Sequence, residues 1–230
     1  MFVISGDMWM AVIAIAVAEC AGVSNGLEDA LALEQSGRDA DALGALDALA
    51  ARSPGWELPR IESARLRIKL GRELDRAAAD LELARSLAPN NPRAHYLFGV
   101  LSEDRGDVEA AVRGYGAALV LRPSYREARF RLAGIHFARG EWALAEQHYR
   151  EIPQARLQWI ATLEKQGRDD VAEAELVRMR EAQPQSLLIA RRLSALYERT
   201  GRIDLARKIE AQVDTPGIRK KMRPLRKSGR

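Results

Sequence analysis

Residues 106–123, GDVEAAVRGYGAALVLRP, read as one turn followed by one helix with a fixed exit. Gly106 opens the stretch, Ala111 follows five residues later, Tyr115 four beyond that, and Pro123 twelve past the alanine. A small and a large side chain at i and i+4 share one helical face, so a notch sits beside a knob and a second helix can cross closely. Glycine suits the sharp turn between two antiparallel helices. Proline ends the second helix because it has no N–H to donate to the preceding turn.

The same phrase returns along the chain. Gly37, Gly71, Gly106, Gly140, Gly167 and Gly201 are separated by 34, 35, 34, 27 and 34 residues, a period that means stacked repeat units. Ala42, Ala111, Ala145, Ala172 and Ala206 stand five residues after their glycines, and Ala77 comes one late because of an inserted residue. Leu46, Leu81, Tyr149 and Leu176 take the place of Tyr115, whereas the last unit has Glu210 there; Pro54, Pro89 and Pro184 match Pro123. Upstream of the glycines lie first helices with spacings of three, one and three. His95, Phe98, Gly99 and Ser102 form one such stripe, and Arg156, Trp159, Ile160 and Leu163 another. β-Branched residues are few outside the N-terminus and alanine is abundant, which agrees with an all-α chain, an α-solenoid of antiparallel helix pairs.

This pattern resembles the tetratricopeptide repeat family, whose first helix carries a large residue, a large-small pair and another large residue, and whose second carries alanine, an aromatic and proline. Residues 92–125 match it best. The resemblance divides 23–213 into about six repeats, 23–56, 57–91, 92–125, a shortened 126–152, 153–186 and 187–213. In 57–91, Ser63 and Arg65 stand where core residues are expected. The unit 126–152 is seven residues short, about two helical turns. Glu210 suits a terminal repeat with a polar outer face.

The resemblance implies a right-handed superhelix lined by the first helices, with the residues not spent on packing facing a groove. By register these include Arg93, Tyr96, Leu97 and Val100, then Phe130, Arg131 and Phe137. Leu157 and Gln158 follow, then Arg191 and Arg192. Such a wall suits an extended peptide or partner helix, with apolar anchors on Tyr96 and Phe130 and carboxylates on the arginines. Family members that bind chaperone C-termini clamp the terminal carboxylate with lysines and asparagines. Matching asparagines are absent here, so that specificity is not carried over.

The ends differ from the repeats. Met8–Ala18 is an apolar run of eleven residues, too short for a spanning helix, which needs about 20. Two readings of residues 1–22 stay open: a signal-peptide core with a cleavage site after Ala16-Val17-Ala18, or an apolar helix capping the first repeat. The net charge of +4 hides an asymmetry, because residues 216–230 hold seven Lys or Arg and no acid. The basic segment 214–230 is expected to be disordered when free, with Arg219, Lys220, Lys221, Arg223, Arg226 and Lys227 available to an anionic membrane surface. An alternative function follows, a structural or assembly subunit held at a membrane or larger complex by its two ends.

Other function classes find little here. The single cysteine, Cys20, forms no internal disulfide. His95, His136 and His148 lack metal-ligand spacing. RGYGAAL lies inside a second helix and lacks a preceding strand and a third glycine, so it is no phosphate loop. No nucleophile and base pair has supporting context, and no cofactor, small-molecule substrate or catalytic residue is expected. The repeats show no aromatic platform interleaved with basic residues, which argues against nucleic acid. The expected activity is protein binding.

Overall fold

The computed structural model describes residues 25–213; the expected apolar segment at 1–22 and the basic segment at 214–230, with its six singled-out cations, lie outside them. Among the described residues every regular element is helical. α1 spans 25–35 and pairs with α2 (Asp39–Arg52). α3 (Glu57–Leu70) pairs with α4 (Leu74–Leu87), and α5 (Pro92–Asp104) with α6 (Val108–Leu121). α7 (Arg126–Ala138) precedes α8 (Trp142–Arg150). A 3-10 turn at Pro153–Ala155 leads into α9 (Arg156–Lys165), followed by α10 (Asp169–Ala182), α11 (Leu187–Arg199) and α12 (Ile203–Val213). This is the architecture of an α-solenoid, helix pairs stacked in succession. The described residues divide into two compact units within α7, the boundary falling between Leu132 and Ala133.

The repeated glycines close the first helix of each pair. At Gly106 the backbone takes φ 78°, in the left-handed region, and the Asp107 N–H reaches back to the Ser102 carbonyl at 2.9 Å. That bond satisfies a carbonyl the helix end would leave open. Asp107 then starts α6, its carboxylate accepting the Ala110 N–H at 2.9 Å. Asn91 does the same for α5 toward Arg93, with Pro92 in the first helical position.

The six alanines of the repeat are buried, and so are Leu46, Leu81, Tyr115, Tyr149 and Leu176 beside them. α5 and α6 cross closest where Gly99 meets Gly114: a Cβ on Gly114 would stand 2.7 Å from the Gly99 Cα. Tyr115 fills the space next to that crossing, since a Cβ on Gly99 would lie 2.7 Å from its ring. The large-small pairing on the first helix thus has a partner small residue on the second.

The shortened repeat shows how seven residues are lost. α8 has nine residues where α2, α4, α6 and α10 have fourteen. Ile152 and Ala155 are buried after it and join the core of the second unit with Ala145, Tyr149, Trp159 and Ile160. The 3-10 turn then forms the first turn of the next first helix, leading into α9.

Ser63, where a core residue was expected, is in the core, and the sequence reading overlooked its partner Arg67. Arg67 is 0 % exposed. Its guanidinium donates to Asp47 at 2.7 and 2.9 Å, to Asp80 at 3.1 Å, to Glu73 at 3.0 Å and to the Ser63 hydroxyl. Arg76 adds a second cation to Asp47 at 2.7 Å, and Arg60 one to Asp80 at 3.4 Å. Three guanidiniums thus meet three carboxylates between α2, α3 and α4. Burial pushes the Asp80 carboxyl up, against the pull of Arg67 and Arg60. The inserted residue of this repeat has a local effect, since Glu73 sits at φ 51°, a region costly to side chains other than glycine. Its carboxylate pairs with Arg67 at 3.0 Å.

Candidate functional site

In the first unit, the first helices carry charges in an ordered relay. Glu34 of α1 accepts from Arg65 of α3 and, at 2.9 Å, from Lys69. Arg65 also donates to Glu62 at 2.7 Å, and Glu62 receives Arg93 of α5 at 2.8 Å. The carboxylates lie deep and the cations stand outward: the Glu62 and Glu34 side chains are 7 % and 13 % exposed, those of Arg93 and Lys69 44 % and 53 %. Arg65 is the main cause holding the Glu34 carboxyl down, at about 2.

Beside this relay lies a cleft of about 530 Å³ lined by residues of α3, α5 and the start of α7. Ile68, Tyr96, Leu97 and Val100 supply its apolar part, and Arg65, Lys69, Arg93, Arg122 and Glu127 its charged part. Tyr96 packs at 5.0 Å from the Tyr125 ring and 5.8 Å from the Tyr115 ring. The Arg122 guanidinium lies over Tyr125, 3.8 Å from the ring centre. Tyr115 donates its hydroxyl to Glu103 at 2.5 Å, and Arg131 reaches the same carboxylate at 3.3 Å. Burial pushes the hydroxyls of Tyr96, Tyr115 and Tyr125 up, so all three are neutral near pH 7. Arg93 and Arg122 also border a second recess with Asn90 and Asn91.

The expected groove residues occupy different environments. Arg93 and Tyr96 border the cleft, and Leu97 and Val100 are buried in it, Leu97 being part of the core with Leu81 and Leu101. The reason is that α5, besides pairing with α6, packs on α3 and α4, which takes up more of the helix surface than the pairing alone would. Phe130 is 41 % exposed, and Arg131 is tied to Glu103. In the second unit, Phe137 and Leu157 pack against the core, Phe137 edge-on to Trp142 at 5.1 Å, whereas Gln158 is exposed. Arg192 pairs with Glu164, and Arg191 lines a cleft of about 450 Å³ between α11 and α12 with Ser194, Glu198 and Glu210. Sequence register missed Lys69, Arg122 and Tyr125. Lys69 lies near the end of the first helix of the repeat whose stripe was broken by Ser63, and the other two lie in the loop around Pro123. The signal for the loop pair was an arginine and a tyrosine flanking the repeat's closing proline.

Among the described residues no group of three or more His, Cys, Asp or Glu stands where a metal ion could be held, and no helix is long and apolar enough to cross a membrane. His136 and His148 stack at 5.7 Å in the second unit. What the arrangement offers is a concave apolar surface beneath outward cations, which suits binding.

The tetratricopeptide repeat family model matches residues 61–123 and 103–156. No curated protein sequence matches the chain. Among solved structures, a tetratricopeptide repeat protein from Parabacteroides merdae superposes with a TM-score of 0.65 at 19% identity, covering 84% of this chain and 79% of that one. The C-terminal part of a TPR repeat-containing protein from Cytophaga hutchinsonii gives 0.69 at 16% identity, covering 81% and 77%. YrrB, described as a TPR protein with an unusual peptide-binding site, gives 0.63 at 19% identity over 74% and 90%. At these identities the likeness is one of fold.

Proposed function

This chain is a tetratricopeptide repeat protein, a protein-interaction scaffold by its fold, and from that premise we propose that it binds a peptide or partner helix along the wall of its first helices and acts without catalysis. The observation that carries this reading is the cleft of the first unit, where Tyr96 stands over buried Leu97 and Val100 beneath Arg93 and Arg122. An apolar floor gives a ligand side chain a dry seat, and a charged rim fixes its direction. The YrrB structure, with its peptide-binding site on the same fold, agrees with this use of the repeats. Phe130, exposed on α7, is a second apolar anchor in this reading.

Affinity capture from native cells with mass spectrometry tests the reading. Tyr96→Ala and Phe130→Ala together are expected to lose the partners that the parent protein retains, with helicity unchanged by circular dichroism. Unaltered capture by the double variant would remove the groove from the account.

A further inference from the structure

We infer that the cleft of the first unit selects acidic segments, peptides whose carboxylates reach Arg122 and Arg93 while an apolar side chain rests on Tyr96 and Leu97. The inference rests on the groove reading and names its ligand class. Three observations carry it. First, the relay places its two carboxylates, Glu34 and Glu62, behind and Arg93 and Lys69 in front, so the charge offered to water on this wall is positive. Second, the Arg122 guanidinium is held by one flat face on Tyr125 and, among the described residues, makes no hydrogen bond or ion pair, so the N–H groups at its edge are open to a carboxylate. Third, Glu127 is the one carboxylate lining the cleft, against the four cations Arg65, Lys69, Arg93 and Arg122, and it repels a ligand anion from its own end, which gives the site a direction. A nucleic acid would need open ring faces for its bases. Here Tyr125 is covered by Arg122, and Tyr96 packs against both Tyr115 and Tyr125.

Fluorescence anisotropy with the full chain tests this. The probes are a labelled peptide in which Glu alternates with Ser around a central Leu, its counterpart with Gln for Glu, and a labelled oligothymidylate. The acidic peptide is expected to bind at least about tenfold more tightly than the Gln peptide, and Arg122→Gln to weaken it by about tenfold. Arg178→Gln, on α10 of the second unit and outside the cleft lining, should leave it unchanged. Equal affinity for the two peptides, or indifference to Arg122→Gln, overturns the acidic selectivity and leaves the groove reading standing. Failure of both peptides to bind overturns both. Tighter binding of the oligothymidylate overturns the inference in favour of nucleic acid.

Discussion

Arg67→Met keeps much of the side chain's length and removes its charge. Asp47 and Asp80 would retain Arg76 and Arg60, at 2.7 and 3.4 Å, but lose the guanidinium that joins them in the interior. Taking one partner from a buried ion cluster typically costs about 3–5 kcal/mol. Since each aspartate keeps a second cation, we expect a somewhat smaller loss, about 2–4 kcal/mol, a large share of the roughly 5–15 kcal/mol that holds a typical domain. Urea unfolding followed by circular dichroism gives the total, and hydrogen exchange should place the loss in α2, α3 and α4. Adding Asp80→Asn alone restores two cations, Arg60 and Arg76, against two carboxylates, Asp47 and Glu73, and should recover part of the loss. The penalty of the single variant should also shrink as pH falls from 7 toward 4. Burial already raises the Asp80 carboxyl, and without Arg67 a proton can neutralise it in place. A loss below about 1 kcal/mol, or one independent of pH, would refute the view that this cluster holds the first two repeats together.

Two further substitutions and one titration extend the test to other parts of the fold. Gly114→Ala sets a methyl group 2.7 Å from the Gly99 Cα and should cost about 1–3 kcal/mol, whereas Gly116→Ala on the same helix meets nothing within 4 Å and should stabilise by up to about 1 kcal/mol; equal melting temperatures would contradict the crossing. Glu34 titrates at about 2 when folded and near 4.5 when unfolded, so its contribution is complete above the unfolded value and is lost as pH falls from about 4.5 toward 2. Glu34→Gln should flatten the acid limb of stability over that window, and an unchanged acid limb would show that the relay contributes nothing.

The repeat was legible because its signals are local and recur. Glycine, alanine, a large residue and proline at fixed intervals specify a turn, a notch, a knob and a stop, each readable without knowing what lies across the interface. Arg67 was not legible, since an arginine in a first helix ordinarily faces water. Its burial depends on Asp47 and Asp80, which come from two other helices at separations of 20 and 13 residues. The cleft was half legible for the same reason. Register located Arg93 and Tyr96 on the first helix, but Arg122 and Tyr125 reach the cleft from the loop at Pro123, outside any helical periodicity. Leu97 and Val100 line the cleft from buried positions, which register could not foresee because α5 packs on α3, α4 and α6 and spends much of its circumference on neighbours.

The acid-backed arrangement of the wall has a thermodynamic side. A long cationic side chain free in water surrenders up to about 2 kcal/mol of rotational freedom when a ligand fixes it. Arg93 is already fixed by Glu62 at 2.8 Å, and Arg122 by the Tyr125 ring at 3.8 Å. Much of that ordering was completed when the chain folded, so an arriving partner meets preorganised donors and keeps more of its contact energy as affinity.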